Sequence, residues 1–315
     1  MSIDRGSAAA ARGRIPRVGI QLPEVEWEAR WPDLRAMAVR AEDLGYDSVW
    51  YGDHLLYRRP GDVARGPWEC WSILAGIAAV TSRIELGPLV AATAFHAPAM
   101  LAKKAATVDE ISGGRLVLGL GAGWNETEFT AFGFPFDHRI DRFEEAFTIV
   151  RTLLRDGAID FSGRYFTVRD CELAPRPRAG GPPLLLGSSG PRMLRIAIPY
   201  MDAWNSWYDG FGNRPAGIGP LRARVDAACV EAGRRPSDVE RTVAVLVRLP
   251  GGSGRLMGDT TMGGIPPIQG TPAEIATILR AFAAEGIGHV QLVVDPIAVA
   301  SIEALAPVLE ELDRG

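Results

Sequence analysis

Apolar and polar positions along the 315-residue chain follow two alternating periods. Arg17 to Leu22 is a short β-prone run, and from Pro32 to Leu44 the apolar residues Leu34, Met37, Ala38 and Ala41 recur at helical spacing until Gly45 stops them. The same order returns with Asp47 to Tyr51 and Trp68 to Val80, and again with Arg83 to Val90 and a helix opened by Pro98 and closed by Ser112, Gly113 and Gly114. A fourth strand, Arg115 to Leu120, leads through a loop to a helix over Arg139 to Arg155, in which Phe143, Phe147, Val150 and Leu154 share a face. Strands at Pro183 to Leu186, Met201 to Trp204, Thr242 to Val247 and His289 to Val294 bring the count to eight. Their helices lie near Arg192 to Ile198, Leu221 to Ala232, Pro272 to Glu285 and Ile302 to Leu312.

Eight strand–helix units predict an α/β fold, a closed parallel TIM barrel with extended loops at its C-terminal face. An open doubly wound sheet would carry a Gly-rich phosphate turn after its first strand, where Pro23 and Glu24 stand instead. Residues 1–16 read as a loose tail and 17–315 as a single barrel domain. Two long connections interrupt the count, Phe161 to Pro183 and Pro250 to Gly270. The second follows a strand and is rich in Gly, Pro and Thr, which suits either a mobile lid at the catalytic end or a solvent-exposed insertion.

Composition narrows the class. With 47% hydrophobic and 23% charged residues the chain reads as globular, and a net charge of −4 gives no broad attraction to nucleic acid or anionic membrane. Small organic molecules remain as partners. Cys70, Cys171 and Cys229 are too scattered for a disulfide framework or a zinc site, so no metal is expected. The N-terminus lacks a signal-peptide core and no segment reaches the roughly 18 apolar residues of a membrane span, so the expected compartment is the cytoplasm.

In a barrel the chemistry gathers at the C-terminal ends of the strands. Asp53 and His54 follow the second strand, where an imidazole can change protonation near neutral pH; a hydrogen-bonded structural pair is the alternative. The nearly uncharged run Gly87 to Thr93, including Leu89, Val90 and Ala91, would let a planar cofactor approach, or simply form a crowded rim. Alternating glycines from Gly119 to Gly123 precede Trp124 and Asn125, whose amide has several hydrogen bonds to offer. Glu126 and Glu128 read as satisfied surface carboxylates. Gly187, Ser188, Ser189 and Gly190 precede a helix and form a candidate phosphate cradle, with a plain Ser-rich cap as the alternative. No lysine of a nucleoside-triphosphate loop accompanies them.

The ordered segments Ala41 to Trp50, Asp53-His54, Thr81 to Gly87, Pro98 to Lys103, Ser112 to Arg115 and Gly119 to Glu126 closely resemble the luciferase-like monooxygenase family, especially its deazaflavin (coenzyme F420)-dependent branch. Gly163 to Phe166, Pro175 to Pro177, Pro182-Pro183, Gly187 to Gly190 and Gly270 to Pro272 extend the likeness over nearly the whole chain. The resemblance implies a barrel that binds F420 or, alternatively, FMN at its mouth, with Leu89 and Val90 as a supporting bulge and Gly187 to Gly190 at the phosphate. On that resemblance the expected chemistry is hydride transfer between a small organic substrate and the deazaflavin, with His54 polarising the substrate or exchanging a proton with it and Asp53 orienting it; Trp50 and Trp68 are candidate walls of the substrate pocket.

Trp124, a further pocket residue, stands where the family's sugar-phosphate dehydrogenases carry a catalytic Glu, which argues against sugar phosphate as substrate. Two other readings are an FMN-dependent monooxygenase fed by a separate reductase and a non-catalytic cofactor-binding module. The resemblance further implies a homodimer, to which the apolar segment Trp71 to Val80 could contribute.

Overall fold

Local chemistry sets where the helices begin and end in the computed structural model, which describes residues 14–314 apart from 59, 60, 62, 254, 255, 258, 259, 262 and 263. The first helix, α1 (Trp31–Leu44), has Pro32 in its first turn and ends at Gly45, whose φ of 87° lies in the left-handed region that favours glycine. The second, α2 (Cys70–Val80), starts later than the apolar pattern suggested because the Glu69 carboxylate accepts from the backbone N–H groups of Trp71 and Ser72. Further along come α3 (Pro98–Ser112), α4 (Glu126–Phe132), α5 (Arg139–Asp156), α6 (Pro191–Ala197), α7 (Ile218–Glu231), α8 (Pro272–Ala284) and α9 (Val299–Asp313). The face of α5 carrying Phe143, Phe147, Val150 and Leu154 is buried, as its spacing predicts.

The strands are β1 (Arg17–Gln21), β2 (Ser48–Tyr51), β3 (Glu85–Pro88), β4 (Ala91–Ala92), β5 (Leu118–Gly121), β6 (Ala158–Ser162), β7 (Thr167–Glu172), β8 (Leu184–Leu186), β9 (Ala203–Ser206), β10 (Glu240–Arg248), β11 (Leu256–Met257), β12 (Thr260–Thr261) and β13 (His289–Asp295). Nine of them form one parallel sheet in the order β3-β2-β1-β13-β10-β9-β8-β5-β4. Since β3 and β4 are two halves of one strand broken at Leu89 and Val90, the nine segments make eight barrel strands. The ring closes where Leu86 N–H donates to the Arg115 carbonyl at 3.1 Å and Val117 N–H donates to the Leu86 carbonyl at 2.9 Å. Gly87 makes that approach possible, because a Cβ there would lie 2.0 Å from the Val117 carbonyl oxygen.

Register divides the strand residues between the two faces. Gly19 pairs with Ser48 and with Gln291, so these three share a face with Trp50 and His289, each two residues along. That face is the barrel interior. There the Trp50 indole N–H donates to Ser48 Oγ at 2.7 Å, Ser48 Oγ meets His289 Nε2 at 2.8 Å, and Asn205 donates to Thr242 and Gln291, each at 2.8 Å. Ile20, Val49, Val290 and Leu292 face the other way, towards the helices, and every one is fully buried.

The structure departs from the sequence reading in four places. The expected loop after β5 contains α4, closed by Gly133 at a φ of 75°. The connection beginning near Phe161 contains the antiparallel hairpin β6–β7. It follows a helix, so it lies at the N-terminal end of the barrel, away from the mouth. Arg14 is buried and pairs with Asp313 at 2.7 Å and Asp47 at 3.3 Å, so the fold begins inside the segment read as tail, whose residues 1–13 lie outside those described. The segment from Pro250 does leave the C-terminal end of β10 and includes the antiparallel pair β11–β12, with residues 254, 255, 258, 259, 262 and 263 of the expected lid outside the described residues.

The large apolar side chains of α2, including Trp71, Leu74 and Ile77, are buried within the subunit. Cys70, Cys171 and Cys229 are unpaired. Among the described residues no helix is long and apolar enough to cross a membrane.

Candidate functional site

Loops leaving the C-terminal ends of the barrel strands enclose a cavity of about 570 Å³. The segment after β1 contributes Glu24, and the one after β2 contributes Asp53 and His54. The break between β3 and β4 brings Leu89 and Val90, followed by Ala92 and Phe95. Gly121 to Trp124 and Glu128 come from the end of β5 and from α4, Arg139 and Ile140 from the start of α5. Gly187, Ser188 and Met193 follow β8, while Asn205, Trp207 and Asp209 come from β9 and its loop.

Leu89 and Val90 form the apolar part of the wall, and the peptide bond between them is cis. The glycines that face it leave room for Val90: a Cβ on Gly187 would lie 2.8 Å from both Val90 methyl carbons, and one on Gly121 2.9 Å from one of them. The alternating-glycine pattern is therefore explained first by packing against the bulge. Asp53 secures the far side of the same bulge. Its Oδ2 accepts from Ala92 N–H at 2.9 Å and meets His96 Nε2 at 2.8 Å.

His54 faces a different carboxylate. Its Nδ1 lies 2.8 Å from Glu128 Oε1, while Glu128 Oε2 accepts from Leu55 N–H at 2.7 Å. Burial works to lower the His54 pKa, but the hydrogen bond to Glu128 and the negative charges of Glu128, Glu24 and Asp53 outweigh it and raise the imidazole above its ordinary value. The Tyr57 and Trp124 rings lie 4.8 Å and 5.8 Å from the imidazole, centre to centre. Glu24 is buried, takes a hydrogen bond from the Gln21 amide and lies 3.5 Å from the Tyr57 hydroxyl. Burial lifts Asp209 above the usual carboxylate range, against the opposing pull of hydrogen bonds from backbone N–H groups.

Of the thirteen residues assigned from the sequence as catalytic, cofactor-binding or substrate-pocket residues, seven line the cavity: Asp53, His54, Leu89, Val90, Trp124, Gly187 and Ser188. Six do not. Trp50 fills the barrel interior beneath the cavity, and Trp68 lies on the surface with its indole N–H on the Ala29 carbonyl at 2.9 Å. Ala91 is a buried ladder partner of Leu120, and the Asn125 amide donates to the Leu56 carbonyl at 3.1 Å. Ser189 and Gly190 lie beyond the lining, although Gly190 N–H donates to Ser188 Oγ at 3.3 Å.

Two expectations about charge change. Glu128, read as a surface carboxylate, is 1% exposed, because α4 turns it inward beside Phe129. Asp53 does not orient His54, since the residue hydrogen-bonded to the imidazole is Glu128. Sequence reasoning passed over Glu24, His96, Arg139, Asn205, Trp207 and Asp209. Glu24 and Asp209 stand just past strand ends, which was the available signal. His96 and Arg139 arrive through a turn and a helix start, and nothing in their spacing marked them. Among the described residues no cluster of three or more His, Cys, Asp or Glu is arranged to hold a metal ion.

The chain matches the family model described as luciferase-like monooxygenase over residues 10–249. It therefore belongs to that family. It is 38% identical over 172 residues to the pyrimidine monooxygenase RutA of Cronobacter sakazakii, a match covering 53% of this chain and 50% of that protein. With RutA of Stutzerimonas stutzeri it shares 36% over 171 residues, covering 53% and 47%. The chain thus spans about half the length of the curated relatives it matches.

Solved structures of the same fold include an F420-dependent secondary alcohol dehydrogenase in complex with an F420-acetone adduct, with a TM-score of 0.78, 20% identity and coverage of 95% of this chain and 99% of that one. Monooxygenase RslO1 from Streptomyces bottropensis superposes with a TM-score of 0.77 at 19% identity, covering 95% and 98%. These likenesses establish the barrel fold.

Proposed function

We propose that the protein is an F420-dependent oxidoreductase that moves a hydride between a small organic substrate and a deazaflavin held in the barrel mouth. The observation that carries this reading is His54, an imidazole on the cavity wall that is held at one nitrogen by a buried carboxylate while the same cavity is backed by the apolar Leu89–Val90 bulge. A volume of about 570 Å³ lies within the roughly 300–1,000 Å³ typical of small-molecule and cofactor sites. The residues present fit a flat aromatic ring: Leu89, Val90, Ala92 and Phe95 offer apolar surface, and Ser188 and Arg139 supply donors for an anionic group.

Bound deazaflavin would supply a ring carbon that accepts or returns two electrons as hydride. The chain's own groups supply the rest. His54 takes or returns the substrate's proton, the bulge sets the depth of the ring, and the apolar wall limits access of water. Parallel titrations with F420 and FMN at matched redox state test the cofactor, and single-turnover hydride transfer tests the chemistry. Preference for FMN would sink the deazaflavin assignment.

The likeness to the pyrimidine monooxygenases favours a second reading, an FMN-dependent monooxygenase supplied by a separate reductase. Incorporation of labelled oxygen into product distinguishes it from hydride transfer.

A further inference from the structure

Glu128 reaches its position through a short chain of local causes. Gly123 adopts a φ of 77° before α4 begins, and Phe129 is buried in a cluster with Ala92 and Phe95, which turns its neighbour Glu128 towards the cavity. Both carboxylate oxygens are then engaged within one loop: Oε1 faces His54 Nδ1 at 2.8 Å and Oε2 holds Leu55 N–H at 2.7 Å. The imidazole and the backbone beside it are pinned by the same group.

An ionised carboxylate only accepts hydrogen bonds, so the facing Nδ1 must donate. Neutral His54 then keeps its lone pair on Nε2, the nitrogen that Glu128 does not hold. Asp53 is engaged elsewhere, its Oδ2 accepting from Ala92 N–H and meeting His96 Nε2. The other charged or titratable groups that face His54 or line its cavity are Glu24 from the segment after β1, Tyr57 from its own loop, Arg139 from α5 and Asp209 from the loop after β9.

We propose that Glu128 is the positioning residue of the site, fixing His54 in the Nδ1–H tautomer so that Nε2 is the atom that takes and returns the substrate's proton. The inference rests on the reading of His54 as the proton-handling group. In the oxidative direction a bound deazaflavin would accept the hydride, with both electrons, from the substrate carbon, while Nε2 of His54 takes the proton leaving the substrate heteroatom. The reverse direction returns both.

The test begins with the protein alone. Nitrogen-15 NMR of the wild type should show neutral His54 protonated at Nδ1, whereas an Nε2–H tautomer would overturn the proposal whether or not any variant folds. Glu128→Gln gives an independent readout, because its amide oxygen can still accept Leu55 N–H while its NH₂ faces Nδ1 and drives the ring proton to Nε2. The expected result is a changed tautomer, a lower His54 titration midpoint, and a hydride-transfer rate reduced about 100-fold. Cofactor Kd and substrate KM should stay within about threefold, the pattern of a group acting only in the proton-transfer step. An unmoved titration and tautomer in a folded Glu128→Gln protein would overturn the proposal. Absence of hydride transfer in the wild type would instead remove the oxidoreductase reading, and the tautomer would still decide the pair.

Discussion

The Asp53 carboxylate and the His96 imidazole meet at 2.8 Å and tie the loop after β2 to the turn after β4. The same oxygen holds Ala92 N–H at 2.9 Å, two residues beyond the cis bond at Leu89–Val90. Asp53 thus fastens the loop after β2 to the Leu89–Val90 wall of the cavity.

Asp53→Ala should therefore weaken cofactor binding more than it slows the chemical step. A hydrogen bond to a charged group contributes about 1.5–3 kcal/mol, so a loss of roughly 10- to 100-fold in cofactor affinity is expected. Fluorescence titration of the variant measures it. Unchanged affinity with a collapsed rate would return Asp53 to a chemical role.

The glycines around Val90 give a prediction about packing. Gly187→Ala places a methyl carbon 2.8 Å from both Val90 methyl carbons and should destabilise the fold by about 1–3 kcal/mol. Val90→Ala added to it should recover part of the loss, measured by denaturant unfolding. If the two losses simply add, the contact does not govern the position.

His54→Ala is expected to slow single-turnover hydride transfer by about 100-fold or more while cofactor affinity changes little. The imidazole lines the cavity beside Glu128 on the loop after β2, whereas Gly187 and Ser188, the proposed holders of a cofactor's anionic part, follow β8. A large affinity loss with an intact rate would show that the ring serves placement instead.

Much of this was legible in the sequence, for reasons that can be traced. The α1 and α5 faces showed because Leu34, Met37, Ala38 and Ala41, and Phe143, Phe147, Val150 and Leu154, repeat at helical spacing and are buried accordingly. The hairpin β6–β7 was hidden because most of its positions are exposed or half-buried, which leaves little apolar alternation to read. At the site, strand ends pointed to His54, Val90 and Ser188. Adjacency misled in pairing Asp53 with His54. The real partner, Glu128, is 74 residues away on a seven-residue helix whose direction depends on the burial of Phe129. Trp50 misled in a similar way, because alternation in β2 turns it into the barrel while the cavity opens beyond the strand end.

Assembly gives a fourth prediction. We propose that the protein pairs as a homodimer, through surface other than the large apolar side chains of α2, which are buried within the subunit. Trp27, Trp31 and Trp68 remain 39%, 37% and 48% exposed. Light scattering across a concentration series should give twice 33.9 kDa, and a fully active monomer would reject a functional homodimer.

The last prediction concerns pH and Glu42, at the end of α1. Its carboxylate accepts from the backbone N–H groups of Ser82, Arg83 and Ile84 and so ties α1 to the segment that enters β3. Partial burial works to raise its pKa, but these hydrogen bonds outweigh burial and hold it below its ordinary value of 4.5. A group whose pKa is lower folded than unfolded binds fewer protons in the native state. Its stabilisation is therefore fully present above the unfolded value and is lost as pH falls through the folded one. Glu42→Gln keeps one acceptor oxygen and cannot ionise, so the wild type should melt higher than the variant at pH 7. The gap should close as pH drops below 4.5, where the wild-type carboxyl takes up its proton. Thermal melts of both proteins between pH 7 and pH 3 check this, and a gap that stayed constant or widened on acidification would show that the ionised carboxylate does not hold this junction.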